Sequence, residues 1–177
     1  MKWLPTVTLS FAFLWIPIAG TWNIDAENAK ITFTVSGPFG MVHGSYSGLK
    51  ATIKFDENDL AGSSISASVD ANTVSTGIGL RNHDLKKEEW FNTDKYPVIS
   101  FRSSKIEKTA ASFKATGELT IKGISKPQEI PFTFSAKGTT GVFKSQFLIK
   151  RQDFNLDNTS TSVGNEITIN LEVPVKR

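Results

Sequence analysis

The sequence predicts an all-β domain of about eight antiparallel strands, closed as a barrel or stacked as a sandwich, with one or two short helical segments near residues 77–91. Two observations carry this reading. Apolar and polar residues alternate with a period of two along most of the chain, and the alternating runs are separated by Gly, Asn, Asp and Pro turn chemistry. A third observation marks the exception: residues 80–91, LRNHDLKKEEWF, space Leu80, Leu85 and the Trp90-Phe91 pair among charges in a helical manner.

Residues 1–20 read as a secretory leader rather than a strand. Lys2 supplies the positive start, an apolar stretch runs from Leu4 to Ile18, and Ala19 and Gly20 are small. A membrane-spanning helix needs about 20 predominantly apolar residues, and this run is shorter, with Pro5 and Pro17 near its ends. The mature chain is therefore expected to begin near Thr21 and to form one domain over residues 21–177.

The alternating runs follow in order. Ile31, Phe33 and Val35 share one phase; Leu49, Ala51, Ile53 and Phe55 share the next; then come Ile65, Ala67 and Val69. Ile99 and Phe101 open the second half, before Phe113, Ala115, Gly117, Leu119 and Ile121. Ile130, Phe132, Phe134 and Ala136 form another run, and Phe143, Phe147 and Ile149 the one after it. Ile167, Ile169, Leu171 and Val173 close the series. The intervening residues are mainly Thr, Ser and Lys, which suit a solvated sheet face. Turn signals fall at 56–62, at Lys122-Gly123 and from Gly138 to Gly141. Pro131 lies inside a strand-like run, which predicts an edge or bulged position there, because Pro donates no ladder hydrogen bond. In the helical segment, Asn82 or Asp84 is available as a cap.

Composition narrows the function. Thirteen Phe stand against two Tyr, a balance that favours a dry interior over a wet interface. The net charge is +3 and the basic residues are interspersed with acidic ones, so a nucleic-acid stripe is not expected. No cysteine is present, which excludes disulfides, thiolate catalysis, Cys-ligated zinc and lipidation of an N-terminal Cys. No integral membrane span is expected in the mature chain.

Strand phase nominates the interior. The candidate lining residues are Phe33, Val35, Ile53 and Phe55 from the first half, and Ile99, Phe101, Phe113 and Leu119 from the middle. Phe132, Phe134, Phe147 and Ile169 complete the set. Ala51, Ala67, Ala115, Gly117 and Ala136 dilute the large side chains in the same phase, and small residues on an inner face leave space. Alternation alone is compatible with a packed interior or with a cavity for one apolar molecule.

Candidates for chemistry are few. His43 and His83 have no metal-ligand spacing, no G-x-S-x-G accompanies His83-Asp84, and no phosphate loop is present, so neither a catalytic nor a metal site is expected. Arg81, Asn82, Asp84 and Arg151 are the candidates for a polar head group at a barrel mouth. The competing role for the two arginines is to pin loops through charge-assisted bonds, with Asp84 and Asp153 the nearest carboxylates in sequence.

The block RNHDLKKEEWFNTDKYPVISF, residues 81–101, resembles the YceI-like family of exported lipid-binding proteins. The match falls on Arg81, Asn82, Asp84, Leu85, Trp90, Phe91, Tyr96, Pro97 and Phe101. TWNID at 21–25, GELTIKGISKP at 117–127, IKRQDFNL at 149–156 and VGNEITI at 163–169 are similar to further family blocks, in the same order. Two positions depart from the pattern: Asp84 stands where His is frequent, with His83 one place earlier, and Asn155 stands where Gly is frequent. The resemblance implies an eight-stranded, lipocalin-like antiparallel barrel holding a polyisoprenoid or isoprenoid-quinone type lipid, in the periplasm or outside the cell, for transport, storage or sequestration. It implies no cofactor beyond that lipid and no turnover. Alternatives from other classes are an enzyme or stress protein acting on a hydrophobic quinone-like substrate, and a ligand-free structural barrel. Nothing in the pattern sets an oligomeric state, and a dimer is compatible with it.

Overall fold

The computed structural model describes residues 20–177, so the leader expected at 1–20 lies, apart from Gly20, outside the described residues. Ten strands form one sheet: β1 (Thr21–Ile24), β2 (Lys30–Gly37), β3 (Gly40–Tyr46), β4 (Lys50–Lys54), β5 (Ser64–Asp70), β6 (Val98–Lys108), β7 (Phe113–Ile121), β8 (Ile124–Lys137), β9 (Thr140–Lys150) and β10 (Glu166–Lys176). One helix, α1 (Gly79–Leu85), and two 3-10 turns, Ala71–Thr73 and Arg151–Phe154, complete the described elements.

Every strand pairing is antiparallel, and the sheet closes on itself. β10 pairs with β2 from Ile167↔Val35 to Glu172↔Lys30, then with β1 at Val175↔Ile24 and Lys176↔Asn23. β1 and β2 thus act as one interrupted strand, and β3 and β4 as another, since β2 pairs with β3 and β1 with β4. The ten strands therefore occupy eight barrel positions, as the alternating pattern predicts. Closure removes the free edges that an open sheet of this size would expose.

The break between β1 and β2 has a local cause. Pro174 on β10 cannot donate at that point, and its carbonyl accepts from Asp25 N at 2.9 Å. The Asp25 carboxylate then takes the Asn28 side-chain amide at 2.8 Å, which turns the chain before β2. Pro131 has a matching role: the β8–β9 ladder runs from Lys137↔Thr140 to Phe132↔Ser145 and stops there. Beyond it β8 stays paired with β7 but parts from β9, so Pro131 occupies a local edge within a closed barrel.

The expected helix is present but shorter than its pattern, and neither Asn82 nor Asp84 caps it. The N-cap position is Ile78, without a side-chain bond. Asn82 Oδ1 instead accepts from Thr76 N and Thr76 Oγ1, both at 2.7 Å, and Asp84 Oδ1 accepts from Lys87 Nζ at 2.7 Å while the residue lines the barrel interior. At Lys122-Gly123 the backbone takes φ values of 50° and 72°, the two left-handed positions of a tight hairpin turn.

The barrel has two unlike ends. Connections 55–63, 109–112 and 138–139 lie at one end, over an aromatic floor. Phe55 is fully buried there, edge-on to Phe113 (5.0 Å between centroids), Phe134 (5.2 Å), Phe132 and Phe143 (both 5.5 Å). Trp22 seals the same end, edge-on to Phe134 at 5.0 Å and donating Nε1 to the Phe55 carbonyl at 3.1 Å. Rings in this arrangement gain about 0.5–1.5 kcal/mol per pair beyond area burial. The other end carries the β2–β3 hairpin, the 71–97 connection with α1, and the 151–165 connection.

Candidate functional site

Above the aromatic floor the barrel encloses a cavity of about 650 Å³. Its wall is overwhelmingly apolar and draws on all the long strands. Phe33, Val35, Ile53, Ile99, Phe101 and Leu119 line it as strand phase predicts, and so do Phe132, Phe147 and Ile169. Ala51, Ala67 and Ala115 line it as well, and their short side chains make the space that flanking Phe and Ile leave unfilled.

Three of the expected lining residues do not reach the cavity. Phe55, Phe113 and Phe134 point inward but sit at the height of the floor, where they pack on one another instead of on open space. Period-two alternation reports which face a side chain takes and says nothing of its height along the barrel axis. In the other direction, Tyr46, Trp90, Phe91 and the lip of the β2–β3 hairpin line the cavity without having been nominated. Residues 40–48, GMVHGSYSG, hide their phase behind glycines, although Val42, Gly44 and Tyr46 share the inward face of β3 opposite Val35, Phe33 and Ile31.

At the mouth the polar candidates are mostly engaged in structure. Arg151 is 1 % exposed and all its donor nitrogens bond backbone carbonyls: Nε to Gly164 (3.0 Å), Nη1 to Leu156 (2.7 Å) and to Asp157, and Nη2 to Ser160 (2.7 Å) and Val163 (2.9 Å). It reaches into the cavity wall while gathering the 151–165 connection around itself, with no bond to Asp153. Arg81 also lines the cavity and is held by Thr76, through Nε to Oγ1 at 2.8 Å and Nη2 to the carbonyl at 3.0 Å, not by Asp84. The hydrogen bond from Lys87 holds the Asp84 carboxyl below the usual carboxylate range. Asn82 braces Thr76 and is not part of the cavity wall.

The roof is tied together by Lys122, whose Nζ donates to the Glu89 carbonyl at 3.1 Å and the Asn155 carbonyl at 2.7 Å, joining three connections at one point. Burial pushes its ammonium pKa down. Asn155 itself has φ 51°, ψ 41°, which explains how it replaces the more frequent Gly: Asn is among the few side chains that adopt the left-handed region readily. The lip of the mouth is apolar, with Phe39 fully exposed and Met41 59 % exposed on the hairpin.

His43 lies apart from this site, its Nδ1 3.1 Å from Thr34 Oγ1 on the exposed face. Among the described residues no three His, Cys, Asp or Glu side chains converge as a metal site, and no helix is long and apolar enough to cross a membrane.

A closed eight-stranded antiparallel barrel with one sealed end and an apolar cavity under a loop roof defines the class of the protein. The YceI-like domain model matches residues 22–175, and the chain belongs to that family. The UPF0312 protein YE1254 of Yersinia enterocolitica is 26% identical over 165 residues, 88% of this chain and 86% of that protein. Protein YceI of Shigella flexneri is 24% identical over the same shares. The crystal structure of Burkholderia cenocepacia BcnA superimposes with a TM-score of 0.82 at 25% identity, covering 86% of this chain and 99% of that one. A polyisoprenoid binding domain from Saccharophagus degradans, implicated in plant cell wall breakdown, shares the fold with a TM-score of 0.67 at 15% identity, over 90% and 98% of the two chains.

Proposed function

We propose that this protein is an exported carrier that holds one long apolar molecule of isoprenoid type inside its barrel, for transport, storage or sequestration and without catalytic turnover. The observation that carries the reading is the cavity of about 650 Å³, which falls in the usual range of about 300–1,000 Å³ for small-molecule sites and is walled by Phe, Ile, Val and Leu. Each methylene transferred from water into such a wall gains about 0.8 kcal/mol, so a hydrocarbon chain binds here without any polar recognition. The fold shared with a polyisoprenoid binding domain supports the ligand class. The leader-like residues 1–20 support export to the periplasm or beyond. Turnover is not part of the reading, because Asp84 is bound to Lys87 and Arg81 to Thr76, and among the described residues no base and nucleophile converge on this pair.

The test is recovery of the protein from the exported fraction of cells expressing the full chain, followed by solvent extraction and mass analysis. An isoprenoid-type lipid in stoichiometric amount supports the reading. Protein confined to the cytoplasm contradicts export, and repeated recovery of an empty barrel contradicts the carrier role.

A further inference from the structure

Among the described residues six large apolar side chains are exposed, and four of them stand at the open end of the barrel. Phe39 and Met41 are on the β2–β3 hairpin, and Ile78 and Leu80 on the connection that carries α1. None of the six lies in the connections over the aromatic floor, where Asp56, Glu57 and Asp59 stand instead. The two apolar segments flank one opening. Backbone hydrogen bonds between Ser45 and Ser75, at 2.8 and 2.9 Å, fasten β3 to the second segment, and Arg81 and Leu85 of α1 line the cavity together with Phe39 and Met41.

Local structure does not call for these side chains. Pro38 shapes the turn between Gly37 and Gly40, and its neighbour in the turn, a place usually held by a polar residue, is the fully exposed Phe39. Ile78 is the N-cap of α1, where Ser, Thr, Asp or Asn would bond the first turn, and it makes no such bond. A hairpin tip and a helix cap are both places where folding favours a polar side chain, and here both are apolar. Rules broken locally without a gain to the fold fall at functional positions.

The chemistry of the surface selects its partner. Residues 36–42 and 71–80 contain no charged side chain, so sinking these tips into an apolar medium strands no charge. Apolar side chains on separate tips around an opening suit a fluid partner that adapts to each, whereas a folded protein needs a socket for each. Phe39 and Met41 are rim and cavity wall at once, so the apolar lining continues onto the outer surface. A hydrocarbon chain that leaves along this surface into a bilayer stays out of water, and one that leaves into solvent forfeits the burial of every methylene.

We propose that the open end of the barrel docks on a lipid bilayer through Phe39, Met41, Ile78 and Leu80, so that apolar cargo passes directly between membrane and cavity. The choice of partner rests on the carrier reading above, and the docking surface is an addition to it. The contact is apolar, so it forms on neutral phosphatidylcholine and is insensitive to salt.

The chain has no cysteine, so a single introduced thiol reports on each end. Leu80→Cys at the mouth and Ala61→Cys at the floor, both exposed positions, are recovered from cells expressing the full chain, labelled with the polarity-sensitive dye NBD and titrated with phosphatidylcholine vesicles. The label at residue 80 is expected to brighten and shift to the blue at low and high salt alike, and the label at residue 61 to stay as in buffer. Adding Phe39→Ser to Leu80→Cys should weaken the titration roughly 10-fold, the order expected for withdrawing one phenylalanine from an apolar medium. A shift at residue 61 alone, equal shifts at both, no shift at either, or a titration undiminished by Phe39→Ser overturns the proposal. A shift at residue 80 on raising the protein concentration without vesicles assigns the surface to a second copy of the chain and overturns it as well. Solvent extraction and mass analysis of each preparation before vesicles are added keep the two readings apart. Loaded barrels that do not dock overturn the docking alone, and empty barrels that dock support it while contradicting the carrier role.

Discussion

The guanidinium carbon of Arg151 lies 6.0 Å from the centre of the Trp90 ring, so two of the connections that roof the barrel, 71–97 and 151–165, meet at a single buried cation. Five backbone carbonyls surround that cation, and each loses its donor if the side chain is shortened. Arg151→Met is expected to destabilise the protein by about 3–5 kcal/mol, the range for stranding buried polar groups of a charged network. Arg151→Lys should recover less than half of that, because an ammonium offers three donors in a different geometry. Urea denaturation of the three proteins measures it; a loss below about 1 kcal/mol for Arg151→Met contradicts the account of the roof.

Phe55 makes the second case, at the opposite end. It is fully buried and edge-on to four other phenylalanines. Phe55→Ala should cost about 3–5 kcal/mol through lost burial and the void it leaves. Leu148→Ser, on an outward-facing side chain that is 54 % exposed, should stay within about 0.5 kcal/mol of wild type. Thermal melts of the two variants side by side check the floor, and equal losses would contradict it.

Gly117 faces Ser103 where the β6–β7 register slips between Ser103 and Lys105. A Cβ at residue 117 would run into the carbonyl of Arg102, a backbone atom that cannot swing aside. Gly117→Ala is therefore expected to destabilise by about 1–3 kcal/mol, against the gain that Gly→Ala usually brings in a strand. A stabilised variant in chemical denaturation would show that β6 can yield here.

The Tyr46 hydroxyl also predicts an alkaline limb in stability. Its pKa is 10.0 when exposed and burial raises it in the folded chain. Below pH 10 both states keep the proton and stability is unaffected. As pH rises past 10, the unfolded chain releases a proton that the folded chain retains, so folding weakens by about 1.4 kcal/mol per pH unit. Tyr46→Phe lacks this contribution. The wild type should lose about 1.4 kcal/mol more than the variant between pH 9 and pH 11 in urea titrations, and parallel losses would place the hydroxyl in water.

Much of the fold was legible because a period of two assigns each strand residue to a face, and the faces of Phe33, Ile99, Leu119 and Ile169 are as the alternation predicts. Height along the barrel is set by register, which alternation does not encode, and this is why Phe55, Phe113 and Phe134 belong to the floor. β3 shows no clear alternation because Gly40 and Gly44 interrupt its apolar phase, and Tyr46 is hidden with it. The loop-pinning role of Arg151 is among the expectations from sequence, but its partners are out of reach for another reason. Its partners are carbonyls of a loop, and a carbonyl is the same at every residue, so no side-chain pattern announces it.

Native mass spectrometry of the wild type beside Ala67→Trp tests the central claim most directly. Ala67 contributes only a methyl group to the cavity wall, and an indole in its place projects into the space a ligand would fill. The wild type, recovered from cells expressing the full chain, is expected to carry one apolar adduct that organic solvent removes, and folded Ala67→Trp is expected to run at the mass of the bare chain. A bare wild-type barrel, or an adduct retained equally by both proteins, would contradict a carrier that holds its cargo inside the barrel.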